Sequence, residues 1–144
     1  ITPAAGFVDV WAAGVMGLIV SPICYSAMAF LKPKLGYDDA LDAFGCHGIG
    51  GMVGGVLTGV FCVPDLSWTD FGGLLYTGDP TLLIAQIEGI LITIAFVAVM
   101  SVIIGLVVKV LFKGSLRVSA EEEAEGLDAR EHGESAYPAF NGLD

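Results

Sequence analysis

The fold class is decided by residues 82–108, LLIAQIEGILITIAFVAVMSVIIGLVV, an apolar run in which Glu88 is the only charged residue. A helix needs about 20 mainly apolar residues to cross a bilayer, so this run is long enough to span one. Residues 10–31 and 43–63 form two more runs without Asp, Glu, Lys or Arg. A buried helix of a large soluble protein is the alternative for any one run, but three runs in 144 residues favour a membrane protein.

The composition agrees with a membrane protein. Hydrophobic residues make up 55% of the chain and charged residues 15%, whereas soluble domains are about 25% charged. The net charge of −10 is concentrated at the end of the chain: from residue 115 onward, eight acidic residues face only Arg117 and Arg130, which gives −6. The basic residues form no patch suited to nucleic acid.

The sequence predicts three membrane-spanning helices, at residues 6–31, 42–63 and 81–112. Pro22 is expected to kink the first helix, since proline removes a helical hydrogen bond, and Pro33 is expected to end it. The predicted fold is therefore an all-α membrane protein with a membrane domain at residues 1–114. The polar residues 115–144 are predicted to form a cytoplasmic regulatory tail, with a short helix beginning near Ser119.

The second span is rich in glycine, which is costly in an isolated helix but lets helix backbones approach closely in a membrane. Gly51, Gly55 and Gly59 recur at intervals of four residues. These three residues are predicted to pack against other helices, so that the second span is buried among helices.

Loop charges predict the orientation of the chain. Lys32 and Lys34 lie between the first two spans, and Lys109 and Lys113 close the third span, whereas residues 64–80 contain no Lys or Arg. The positive-inside rule therefore places residue 1 on the outer side and the C-terminus in the cytoplasm.

His47 is the sharpest candidate for function. An ionisable residue inside a membrane helix is costly and usually faces the bundle interior or an aqueous path. The alternative is a neutral histidine that packs by hydrogen bonding to a neighbouring helix. An imidazole titrates near neutral pH and can donate or accept a proton, which suits the handling of a small protonatable solute.

The residues around His47 have less specific roles. Asp42 is predicted to cap the second span with its carboxylate, which makes it a structural residue. Asp39, like the neighbouring Asp38, is expected to be a solvated loop residue. Phe44 and Ala43 either line a path or pack against neighbours.

No catalytic site is predicted, because the sequence has no nucleophile beside a base, no phosphate-binding glycine loop and no carboxylate pair placed for hydrolysis. The three cysteines lie inside the apolar runs and are interpreted as small hydrophobic residues, so no metal site and no cofactor are expected. The chain begins with Ile1 and without a signal peptide, which suggests the middle of a longer protein.

Three stretches of sequence resemble the ammonium transporter family. Residues 42–51, DAFGCHGIGG, with residues 57–61, LTGVF, resemble the second signature of that family. Residues 1–4, ITPA, resemble the turn before its ninth helix. Residues 126–128, GLD, and 132–137, HGESAY, resemble its cytoplasmic tail motif. The resemblance covers nearly the whole chain in order.

This resemblance implies an eleven-helix fold of two inverted halves, assembled as a homotrimer with one pore per subunit. The chain would supply the last three helices and the cytoplasmic tail, as a fragment of the full transporter. His47 would be the second of two pore histidines, and the first would belong to the other half. The implied function is transport of ammonium or ammonia through an apolar pore, with a PII-type nitrogen-regulatory protein as a partner of the tail.

A second hypothesis is a membrane-bound interaction or regulatory module that conducts nothing and whose acidic tail binds a PII-type signalling protein. The sequence upstream of Ile1 separates the two hypotheses.

Overall fold

The structure is a computed structural model that describes residues 1–114 and 116–134. Residues 135–137 of the predicted tail motif lie outside this part of the chain. The described residues form helices joined by turns, without a strand. The α-helices are α1 (Val10–Ser26), α2 (Lys32–Leu35), α3 (Gly50–Phe61), α4 (Leu74–Thr77), α5 (Thr81–Leu111) and α6 (Ala120–Glu125).

Two π-helical turns extend the α-helices into longer spans. Residues Ala27–Leu31 join α1 to α2, and residues Phe44–Ile49 lead directly into α3. Three helical stretches are consequently long and apolar enough to cross a membrane: Val10–Leu35, Phe44–Phe61 and Thr81–Leu111. This confirms an all-helical chain with three candidate membrane-spanning helices.

The end of the first span differs from the prediction. Pro33 does not end the helix: the π-helical segment Ala27–Leu31 continues directly into α2, and Pro33 lies in the first turn of α2. The helix ends instead at Gly36, whose φ of +65° gives the left-handed conformation that closes many helices. Pro22 lies inside α1, which continues to Ser26.

Helices α1 and α3 pack side by side in opposite directions. The start of α1 meets the end of α3, where Trp11 and Phe61 make an edge-on ring contact with centroids 5.8 Å apart. Residues on one side of α1 recur every four positions and are buried: Ala12, Met16, Val20 and Cys24. A Cβ on Gly50 would lie 3.2 Å from the Cys24 sulfur, so the two helices also approach closely at the other end of this contact.

Helix α5 begins beside the end of α3 and also runs antiparallel to it. A Cβ on Gly59 would lie 2.6 Å from the Cα of Leu83, and a Cβ on Gly55 would lie 3.0 Å from Ile90 Cδ1. Gly55 and Gly59 therefore lie where α3 and α5 approach each other closely. Gly51 does not share this role within the described chain: a Cβ there meets nothing within 4 Å, because Gly51 lies on a side of α3 that neither α1 nor α5 covers.

The segment between α3 and α5 contacts the residues before α1. The Tyr76 hydroxyl donates a hydrogen bond of 2.8 Å to the Asp9 carboxylate, and the rings of Phe7 and Trp68 meet edge-on at 5.4 Å. Burial raises the pKa of Tyr76, and its hydrogen bond to the negative Asp9 raises that pKa further. These contacts hold the segment across the ends of α1 and α3.

The chain divides into two compact units, Ile1–Val97 and Ala98–Asp144. In the second unit, Ser119 caps α6 as predicted. Its hydroxyl accepts the Glu122 N–H, and the Glu122 carboxylate accepts the Ser119 N–H in return. Hydrogen bonds from Ser119 lower the pKa of Glu122. Another π-helical turn follows at Asp128–His132, with Arg130 bonded to Glu125.

Candidate functional site

His47 lies in the middle of the π-helical turn Phe44–Ile49, at the start of the second span. Its side chain is exposed and makes no hydrogen bond within the described residues. A π-helical turn inside a longer helix is uncommon and often marks a functional site. The alternative of a histidine bonded to a neighbouring helix therefore finds no support in the described part of the chain.

One side of this turn, next to His47, packs against the π-helical segment Ala27–Leu31. A Cβ on Gly45 would lie 2.5 Å from Met28 Cγ, so the turn approaches the π-helical segment Ala27–Leu31 closely. The Cys46 thiol donates to the sulfur of Met28 at 3.7 Å. The two π-helical turns thus face each other, and His47 remains on a side that this contact does not cover.

Phe44 contributes packing to the same turn. Its ring meets Tyr37 edge-on with centroids 5.7 Å apart, and it lies so close to Gly48 that a Cβ there would be 2.7 Å from the ring. Ala43 precedes the turn and is exposed. Gly51 lies one turn after His47 and is also uncovered.

The capping prediction for Asp42 is wrong in its details. The Asp39 carboxylate, rather than that of Asp42, accepts the N–H groups of Ala43 and Phe44, both at 2.9 Å. Asp39 can do so because Asp42 takes a left-handed backbone, with φ of +55°, which folds the loop back over the helix start. Aspartate tolerates this conformation better than most residues. Asp42 keeps a structural role through its backbone carbonyl, which accepts the Cys46 N–H at 2.9 Å.

Lys32 binds both aspartates of this loop. Its ammonium donates to the Asp42 carboxylate at 2.7 Å and to the backbone carbonyl of Asp39 at 2.5 Å. From the sequence, Lys32 was expected only to contribute positive charge to a loop, and Asp39 was expected to be a solvated loop residue. An aspartate shortly before a helix is a common cap, so the sequence did indicate Asp39 as a candidate. Asp42 was preferred because it lies nearer to the apolar run.

This arrangement places an imidazole on a glycine-rich helix start within an apolar span. Between Phe44 and Phe61, the thiol of Cys46 is the only other titratable group. Such a site can hydrogen-bond a small polar solute in an otherwise apolar path, because each imidazole nitrogen can donate or accept.

Comparison with known proteins places these features in a family. Residues 1–137 match the model of the Ammonium Transporter Family. The chain is 51% identical over 137 residues to a protein of Aquifex aeolicus named "Ammonium transporter", a match that covers 95% of this chain and 31% of that protein. It is 46% identical to a "Putative ammonium transporter" of Methanothermobacter thermautotrophicus and 45% identical to an "Ammonium transporter" of Bacillus subtilis. Both matches cover 95% of this chain and 33% of the relative, so the chain spans about a third of the length of these curated relatives.

Proposed function

This chain belongs to the Ammonium Transporter Family, and we propose that it is the C-terminal portion of a transporter that moves ammonium or ammonia across a membrane. The family match and the three apolar helices make it a multi-pass membrane protein. A transporter family also agrees with the expectation that the chain is not an enzyme. In this proposal the three spans are the last of eleven helices, and residues 115–144 are a cytoplasmic regulatory tail.

One observation carries the functional proposal: His47 is the only histidine in the described membrane spans, and it is exposed within the first compact unit. We assign His47 to the conduction path on this basis. The imidazole there would replace part of the hydration that the solute loses on entering an apolar path, because each ring nitrogen can take part in a hydrogen bond.

Phe44 and Ala43 stand beside His47 at the start of the same span. Phe44 already packs against Tyr37, which favours a supporting role for its ring over direct contact with the solute. Ala43 is small and exposed, and we place it at the edge of the path.

Uptake of labelled methylammonium by cells that express the complete transporter tests the role of His47. His47→Ala should change the uptake rate or its selectivity, whereas the control substitution Asp70→Ala, in the exposed segment between the second and third spans, should not change conduction. Both variants are compared at equal abundance in the membrane. If His47→Ala leaves uptake and selectivity as in the wild type, the assignment of His47 to the path is wrong.

The complete coding sequence tests the proposal that the chain is a C-terminal portion. Eight spans upstream of Ile1, including a second glycine-rich segment with a histidine, would support it. An initiator methionine directly before Ile1 would contradict it and would favour an interaction module that conducts nothing.

Labelling from one side of the membrane tests the proposed orientation. Lys34 follows the first span, whereas Asp70 lies in the segment between the second and third spans, which lacks basic residues. In a background without native cysteines, a membrane-impermeant maleimide added outside should label Asp70→Cys and not Lys34→Cys. The reverse pattern would place the C-terminus outside.

Homotrimer formation and a PII-type partner complete the proposal, and the family membership is what supports them. Native mass spectrometry of the purified transporter should give the mass of three subunits. Removing the residues after Ser119 should abolish binding of a PII-type protein, whereas binding by the truncated transporter would exclude the tail as the docking segment.

A further inference from the structure

Three residues hold the start of the π-helical turn that carries His47. The two oxygens of the Asp39 carboxylate accept separate N–H groups, those of Ala43 and Phe44, each at 2.9 Å. The first N–H groups of any helix lack partners inside the helix, so a carboxylate in this position fixes where the helix begins.

Lys32 fastens Asp39 and Asp42 to the end of the first span. Its ammonium reaches the Asp39 carbonyl at 2.5 Å and an oxygen of the Asp42 carboxylate at 2.7 Å. Both side chains of the ion pair are partly shielded, with 27% of Lys32 and 39% of Asp42 exposed. The loop of residues 36–42 is thereby held at two points by one cation.

The backbone at Asp42 makes this loop geometry demanding. Asp42 has a φ of +55°, and its carbonyl accepts the Cys46 N–H at 2.9 Å. The residue that pairs with Lys32 is therefore also the one that turns the chain into the helix. The next residues along the chain are those that Asp39 holds.

His47 follows Asp42 by five residues and lies within the turn that these contacts start. Successive residues of a helix are rotated by about 100°, so a change in the winding of the turn that carries His47 would point its side chain in another direction. The winding of the π-helical turn Phe44–Ile49 already differs from that of α3, which follows it.

We propose that Asp39, Lys32 and Asp42 form a clamp that sets the direction of the His47 ring, and that they are positioning residues for transport. The importance of this clamp for transport rests on the proposed role of His47. The effect of the clamp on the direction of the His47 ring can be measured without any transport assay.

The first test is the Asp39 series in the complete transporter. Asp39→Ala removes both acceptors, whereas Asp39→Asn keeps one carbonyl oxygen that can accept an N–H group. Loss of a helix cap lowers the ratio of ordered to disordered helix start by about 2- to 30-fold. Methylammonium uptake at equal membrane abundance should fall in Asp39→Ala, by at most that factor, and should fall less in Asp39→Asn.

The second test separates the ion pair from simple loss of charge. Lys32→Met leaves the Asp42 carboxylate partly buried without its cation, which is more harmful than removing both charges. The double variant Lys32→Met with Asp42→Asn should therefore recover part of the uptake that Lys32→Met loses. Lys34→Met is the matched control, since Lys34 lies in the same helix α2 and forms no ion pair within the described residues; it should keep wild-type uptake.

A spectroscopic measurement reports the ring directly. Histidine-selective ¹³C labelling gives a signal of the His47 imidazole, which His47→Ala identifies. Asp39→Ala and Lys32→Met should shift or broaden that signal, and Lys34→Met should leave it in place. An unchanged His47 signal in both clamp variants would overturn the proposal.

The outcomes separate the two claims. If His47→Ala stops uptake while the clamp variants transport normally with an unshifted His47 signal, the clamp is wrong and the transport proposal stands. If His47→Ala has no effect, the transport role is wrong, and the His47 signal alone decides the clamp. If Asp39→Ala does not reach the membrane, Asp39→Asn and the Lys32–Asp42 double variant decide it.

Discussion

Gly59→Ala is the most informative perturbation of the packing, because its consequence follows from one short distance. A Cβ on Gly59 would lie 2.6 Å from the backbone Cα of Leu83 and 3.0 Å from Leu83 Cδ1. Ordinary contacts begin at 3.4 Å, so α3 and α5 would have to separate by about 0.8 Å at this point. Backbone cannot rotate out of the way as the end of a side chain can, and the start of α5 must therefore move.

The expected change in the free energy of unfolding is the difference between two effects. Overpacking of this kind costs about 1–3 kcal/mol, whereas replacing glycine by alanine inside a helix gains roughly 1 kcal/mol. The net effect of Gly59→Ala is a loss of up to about 2 kcal/mol. Gly89→Ala is the matched control, since a Cβ there meets nothing within 4 Å of the described residues and only the gain of about 1 kcal/mol applies.

Thermal unfolding of the complete transporter in detergent measures this difference. Gly59→Ala should unfold at a lower temperature than Gly89→Ala, and Gly59→Val at a lower temperature still, since it adds two methyl groups towards Leu83. Equal midpoints for Gly59→Ala and Gly89→Ala would refute the close approach of α3 and α5.

Two further predictions concern the caps of α5 and α6. The pKa of Asp79 is lowered by hydrogen bonds from the Thr81 hydroxyl and then from the Thr81 N–H, so its stabilising contribution is complete above about pH 4 and is lost as the pH falls through the depressed pKa. Asp79→Asn should therefore flatten the dependence of the unfolding midpoint on pH below about 4, and parallel curves for both proteins would contradict this. Ser119→Ala should weaken α6 by about 0.5–2 kcal/mol, seen as faster hydrogen exchange at the Glu122 amide, whereas Ser119→Thr should keep its protection.

The apolar runs could be predicted from sequence because their length and lack of charge depend on no partner. The third span was predicted at residues 81–112 and is observed as Thr81–Leu111. The first span was predicted to end at residue 31 and continues to Leu35, with Pro33 inside the continuous helix. The hydropathy pattern does not show whether the helix tolerates a proline in this position.

The site was predicted less completely. The residue type and membrane depth of His47 singled it out, and its role remains a proposal. The contacts of Asp39 and Lys32 could not be predicted from sequence in the same way. They depend on a loop whose course is set by the left-handed backbone of Asp42. Gly51 shows the same limit, because regular spacing indicates a face of a helix but not which neighbour covers it.

An experimental structure of the complete transporter that resolves the His47 ring tests the central claim most directly. We predict that the ring borders a narrow apolar path through the subunit, with its turn held by Asp39 and Lys32 as described here. A His47 ring that faces lipid, or that is packed against other helices away from any path, would contradict the assignment of this residue to transport.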